Sequence, residues 1–269
     1  MFAPLRNGQL AYDIQGEGPD LLLLRPLGGS RLSWDRFASL LAKQARVITF
    51  DPRGVGDSSV APAVCTTRGM ARDARALLDH LGLTRVHVYG ISLGGMVASW
   101  LALDAPTRVD RLVLASTLPR GTEVRPAMLL GGLAMARCLL KPAAEAEACL
   151  VTRILSSQFR AQQPAAVLRV QELARARPST HRAFLALAAA AALHDVRGEL
   201  SRIRAQTLVL VGEYDPLLTV ESQRELLAGL PHAHFELIVG AGHDVSVEAP
   251  EATAARVLLH VLSTQTFCG

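Results

Sequence analysis

The chain has 269 residues, of which 50% are hydrophobic, 19% charged and 4% aromatic, with a formal net charge of +4. Such an apolar composition excludes a disordered or fibrous polypeptide, and the length suffices for a large buried core in one or two domains. The cations are spread along the chain, and all but two of the 28 basic residues are arginine, so a concentrated basic face for nucleic acid is not expected.

In chain order, Gln9–Ile14 reads as an antiparallel edge strand. Leu21–Leu24 is a continuous apolar run ending in the loop Arg25-Pro26-Leu27-Gly28-Gly29-Ser30. A parallel strand buried on both faces has this pattern. Val47–Phe50, Val86–Tyr89, Leu112–Ala115, Leu208–Val211 and, more weakly, Phe235–Val239 repeat it. Between these runs, Ser33–Ala42, Thr67–Leu81, Leu93–Leu103 and Glu251–Leu262 carry apolar residues at helical spacing. The alternation predicts an α/β fold, with a mostly parallel central sheet covered by helices on both faces. It stops between Leu118 and Ile203. Pro119 to about Leu200 is rich in Ala, Leu and Arg and includes Ala186–Ala192, a strong helix former. The expected organisation is a core of residues 1–118 and 201–269 with a helical lid, 119–200, inserted over the strand ends. Ser263–Gly269 reads as a frayed tail.

The cysteines, Cys65, Cys138, Cys149 and Cys268, form no C-x-x-C pair, so neither a zinc knuckle nor a disulfide framework is expected. No apolar stretch is long enough to cross a bilayer, and the first residues lack a charged segment followed by an apolar one. A cytoplasmic protein with no membrane contact is the expectation.

The chemistry starts at Gly90-Ile91-Ser92-Leu93-Gly94. This is G-x-S-x-G, placed directly after an apolar strand and directly before a helix. Two glycines permit a tight, strained turn that lifts the Ser92 hydroxyl off the sheet. The Leu93 amide then lies at a helix N-terminus, where developing negative charge is favoured. A serine hydroxyl needs a base. His243, in Gly240-Ala241-Gly242-His243, follows the last predicted strand. His80, His87, His181, His194 and His260 fall within or beside predicted elements, and His232 and His234 at a turn, so His243 is the candidate base. An acid must hold the imidazole. Asp215 follows Leu208–Val211, and Pro216 keeps it in a loop. Glu213 and Glu123 are alternatives to Asp215, which is favoured.

The order Ser92, Asp215, His243, each on a loop after a strand, resembles the α/β-hydrolase fold superfamily. The resemblance runs from Gly8 to about Leu262 and includes Asp51-Pro52-Arg53-Gly54-Val55-Gly56-Asp57-Ser58, which is similar to a structural loop of many members. It is closest in pattern to small carboxylesterases, enol-lactonases and C–C hydrolases. The resemblance implies a serine hydrolase acting on a small, hydrophobic ester or lactone, with no cofactor and no metal. C–C hydrolysis, a lyase- or cyclase-like step, acyl transfer and a silent ligand-binding protein are the rival readings. Many members carry His-Gly where this chain has Arg25-Pro26. Pro26 has no N–H, so the second oxyanion donor passes to Leu27, with Gly28 as alternative, beside Leu93. Arg25 is expected to pack outward or to pair with Asp51 rather than to reach into the pocket. The helical lid is also a candidate homodimer surface.

Overall fold

The protein's computed structural model describes residues 1–60, 65–121, 137–138, 140–218 and 220–263. Apolar runs become strands: β1 (Phe2–Leu5), β2 (Gly8–Gln15), β3 (Asp20–Leu24), β4 (Arg46–Phe50), β5 (Val86–Ile91), β6 (Val109–Ala115), β7 (Gln206–Gly212) and β8 (Ala233–Ile238). They form one sheet in the order β1-β2-β4-β3-β5-β6-β7-β8. All pairings from β4 to β8 are parallel, and β2 is antiparallel to both of its neighbours.

Alternation along each strand divides the core in two. Leu22 and Leu24 of β3 and Val88 of β5 face one cluster, completed by α2 (Thr67–His80) and α3 (Leu93–Asp104). Leu21 and Leu23, with Tyr89 and Ile91, face the other, where α1 (Asp35–Leu41) contributes Phe37 and Leu41. Successive side chains of a strand point to opposite faces, so a strand apolar at every position must be covered on both. Between β6 and β7 the described residues include the α-helices α4 (Ala143–Ile154), α5 (Ser157–Gln162), α6 (Pro164–Ala176) and α7 (His181–Ala192). Ser156 and Thr180 cap α5 and α7 by accepting from the Phe159 and Ala183 amides. After β7 come α8 (Ser222–Gly229), α9 (Val245–Glu248) and α10 (Pro250–Leu262). No described helix is long and apolar enough to cross a membrane.

Three expectations change. The outermost strand is β1, so the Gln9–Ile14 segment lies second from the edge. Phe2-Ala3-Pro4-Leu5 buries only Ala3 fully and contains a proline. Short and interrupted by Pro4, it fits the edge position, where a proline leaves no ladder donor missing. The helix expected over Ser33–Ala42 divides into a 3-10 turn, Arg31–Trp34, and α1, which sends Trp34 into the core. Cys138 and Cys149 are disulfide-bonded, with Cα atoms 5.6 Å apart. Helix packing made that pair, and no local spacing announces it. The cytoplasmic expectation thereby loses its argument from cysteine usage. Glu123 and most of the tail, 264–269, lie outside the described residues.

Two buried histidines tie elements together. Thr67 Oγ1, at the start of α2, and His194 Nδ1, just past α7, share a hydrogen bond of 2.9 Å. His260 Nε2, on α10, donates to the Gln206 carbonyl at 3.1 Å. Burial, opposed weakly by Asp195, lowers the His194 pKa from 6.5 to about 4. Burial, reinforced by His234, lowers that of His260 to about 4 as well. Both rings are neutral in the folded protein and charge on unfolding. Their contribution is therefore complete above the unfolded value of 6.5 and is lost as pH falls towards 4. Urea unfolding between about pH 7 and pH 4 should show stability falling by on the order of 3 kcal/mol per histidine at most. The His194→Gln/His260→Gln protein should show a flatter dependence.

Candidate active site

β5 is buried along its whole length and ends at Ile91, and α3 starts at Leu93. The chain reverses at Ser92, whose φ is 54° and ψ −119°. A non-glycine residue there costs about 1–3 kcal/mol and needs support from its surroundings. That support is visible. The Ser92 N–H donates to the Ala115 carbonyl at 2.9 Å. The Ser92 carbonyl accepts from Gly95 N–H at 2.9 Å and from Thr117 Oγ1 at 2.7 Å. Thr117 had no sequence signal, since it follows β6 and meets the turn only in three dimensions. A Cβ at Gly90 would collide with the Gly94 carbonyl, and one at Gly94 with the Leu24 carbonyl. Both motif glycines are thus required by backbone-on-backbone contact.

Ser92 opens on a cavity of about 290 Å³. His243 and Thr117 line it with Ser92, and Leu27, Met96, Leu150 and Ile154 give it apolar walls. Leu150 and Ile154 come from α4, so the inserted helices form part of the enclosure. His243 follows β8, and its backbone N–H donates to the Ile154 carbonyl at 3.2 Å. Its Nδ1 lies 2.9 and 3.1 Å from the two Asp215 carboxylate oxygens. Asp215, just beyond β7, is completely buried at its side chain. Its Oδ1 also accepts from the Leu217 and Leu218 amides at 2.8 and 2.9 Å. The turn-forming role of an Asp before Pro and the contact to the imidazole therefore coexist. The Ser92 hydroxyl and the imidazole share the cavity without a hydrogen bond between them; such contacts commonly close only around substrate.

Burial by itself favours neutral His243, but the charge and hydrogen bond of Asp215, with Asp244 and Glu248 beyond, outweigh it and raise the imidazole pKa above 6.5. Burial pushes the Glu248 carboxyl up, against its bonds from the Ser156 N–H and hydroxyl. Asp244 and Glu248 were not singled out from the sequence, although an acid directly after a candidate base is a readable signal. Glu213 accepts from Gly240 N–H at 2.9 Å, so it secures the histidine loop and not the ring. Leu27 and Leu93 both line the cavity. Leu93 N–H is one of the donors that a helix start leaves without an internal partner. Among the described residues neither amide donates to a protein acceptor.

Arg25 departs from expectation. Its side chain neither reaches the cavity nor pairs with Asp51; it lies buried beneath the histidine loop with Nη2 3.6 Å from Asp244 Oδ2. Asp51 is taken by Arg31, through its backbone N–H at 2.6 Å and its guanidinium. Among the described residues no three His, Cys, Asp or Glu side chains gather as metal ligands. A hydroxyl at a strained turn, an imidazole and a buried carboxylate can together activate the hydroxyl as a nucleophile.

The chain as a whole is similar to known proteins. The model of the alpha/beta hydrolase fold family matches residues 19–250. The 3-oxoadipate enol-lactonase 2 of Acinetobacter baylyi is 29% identical over 88% of this chain and 86% of its own length. The proposed carbamate hydrolase RutD of Pseudomonas syringae pv. syringae is 31% identical, over 93% and 95%. Among solved structures, a hydrolase from Pseudomonas aeruginosa PA01 superposes with a TM-score of 0.84 at 30% identity, covering 98% of each chain.

The turn geometry can be tested directly. Gly94→Ala should destabilise the protein by about 1–3 kcal/mol in urea unfolding, because the Leu24 carbonyl has nowhere to move. Catalytic activity should fall by roughly tenfold or more as Ser92 shifts.

Proposed function

The chain belongs to the α/β-hydrolase fold family, and from that membership we propose that it is a serine hydrolase cleaving a carboxylic ester or lactone through an acyl-enzyme. The observation that carries the reading is the buried Asp215–His243 contact opening into the cavity that holds Ser92. His243 accepts the Ser92 proton as the Oγ–carbonyl carbon bond forms. Asp215 fixes the ring and offsets its charge. The amides of Leu93 and Leu27 receive the oxyanion, Pro26 having no N–H to offer. Collapse breaks the bond to the leaving oxygen, which takes the proton from the imidazolium. Water, deprotonated by His243, then releases the acid and restores Ser92. No metal or cofactor enters this sequence.

The cavity's size and its Leu27, Met96, Leu150 and Ile154 walls favour a small to medium apolar substrate. The enol-lactonase relative supports a lactone or ester. The name of the RutD relative makes a carbamate the second reading, since the same acyl chemistry serves it.

Ser92→Ala should abolish hydrolysis of p-nitrophenyl esters and labelling by a fluorophosphonate; full activity in that protein would remove the mechanism. Asp215→Asn should keep the fold and lower kcat by on the order of 10³–10⁴, whereas Glu213→Gln should stay near wild type. A panel of esters, lactones, carbamates and a vinylogous diketone, run beside Ser92→Ala, distinguishes the readings. The reaction requires neutral His243, whose proton affinity is raised. The kcat/KM profile should therefore rise with pH through an apparent value above that of an ordinary histidine.

A further inference from the structure

Arg25 stands where a chain buried this deeply has no evident use for a cation. It is 6% exposed, its Cζ lies 4.4 Å from the centre of the Trp34 ring, and Nη1 reaches the Ser33 carbonyl at only 3.4 Å. Its Nε is buried with no hydrogen-bond partner. The counter-charge, Asp244, is equally buried, 3.6 Å away, and also accepts from the Ser246 hydroxyl at 2.5 Å. Geometry this loose gives little stabilisation for two desolvated charges. The floor is costly in composition as well. Trp34, Phe37 and Tyr89 form a mutual ring cluster, with centroids 5.2–5.9 Å apart, in a chain that is only 4% aromatic.

Its position is what distinguishes the pair. Arg25 directly follows β3, before Pro26 and Leu27, and Asp244 directly follows His243. One contact therefore joins the segment that lines the cavity at Leu27 to the loop that carries the imidazole. We propose that Arg25 and Asp244 are positioning residues that lock the His243 loop to the end of β3 and hold a fixed negative charge beside the imidazole. This rests on the serine-hydrolase reading above. The charged groups facing His243 are Asp215 from the loop after β7, Asp244 from its own loop and Glu248 from α9, with Arg25 behind Asp244.

The signs follow. Asp244→Asn removes the anion and leaves Arg25 buried behind it without its counter-charge, and both changes disfavour imidazolium. Arg25→Met/Asp244→Asn removes both charges and so restores part of that loss. The acid limb of kcat/KM should lie highest in wild type, lower in the double variant and lowest in Asp244→Asn. NMR titration of the His243 ring, assigned with His243→Gln, should give the same order without any turnover. Arg25→Met alone should lower kcat by roughly 10- to 100-fold with little change in KM, as expected for a displaced base. Should Arg25→Met fail to fold, the double variant and Asp244→Asn still decide. Coincident limbs and titrations in all three proteins would make the pair merely structural and overturn the proposal, as would an upward shift in Asp244→Asn. If wild type hydrolyses nothing and Ser92 resists the fluorophosphonate, the hydrolase reading fails while the NMR order still judges the pair.

Discussion

The first turn of α3 lies against the end of β3 at a distance that no side chain at residue 94 can share. Most of the site follows from that one approach. With Gly94 pressed on the Leu24 carbonyl and Gly90 on the Gly94 carbonyl, β5 cannot run smoothly into the helix. Ser92 is forced to positive φ, and its hydroxyl leaves the sheet plane at the strand ends. The same contact brings the β3 exit, with Pro26 and Leu27, to the helix start. Ser92, Leu27 and Leu93 thus share one cavity because backbone meets backbone there, not because side chains attract each other.

Around this apolar arrangement the strand ends bury acidic and basic side chains, and each is managed differently. Asp215 is satisfied by two amides and an imidazole. Asp51 is satisfied by Arg31 and by the Asp57 N–H within its own loop. Arg25 and Asp244 are served worst, with a 3.6 Å pairing and an orphaned Nε. A well-satisfied charge is neutralised within its own loop, whereas the Arg25–Asp244 pair joins two segments and also leaves a field on its surroundings in a low-dielectric setting. That contrast separates Asp51, which organises structure, from Asp244, which lies next to the base.

Much of this was legible in the sequence because the relevant signals are local. Leu21–Leu24, Val86–Tyr89 and Leu208–Val211 are runs that only a doubly covered strand explains, and all three lie in strands. Ser92 and Asp215 follow such a run in a loop and His243 follows the weaker run Phe235–Val239, so their convergence at one end of the sheet follows from parallel topology. β1 is harder to read because its apolar residues are broken by Pro4, which argues against a strand anywhere but at a sheet edge. Arg25–Asp244, Thr117–Ser92 and Cys138–Cys149 were missed for a different reason: each is a pairing made by the fold between segments whose own neighbourhoods say nothing of it. Arg25-Pro26 was noticed as a departure from the family pattern, but its partner depended on knowing where the histidine loop would land.

The inserted helices meet the site through the same residue that ends the β3 approach. Leu27 packs against the cluster of Cys138, Leu150 and Phe184, in which the disulfide to Cys149 is embedded. Leu150 and Ile154 then face Ser92 across the cavity, and the Ile154 carbonyl accepts from the His243 backbone. The core therefore places Ser92 and His243, while α4 bounds the room in front of them. Chemistry and substrate size are set by different parts of the chain, joined at Leu27 and His243. A change in the packing of α4 should be felt first in which substrates fit, and a change at Gly94 first in whether any of them react.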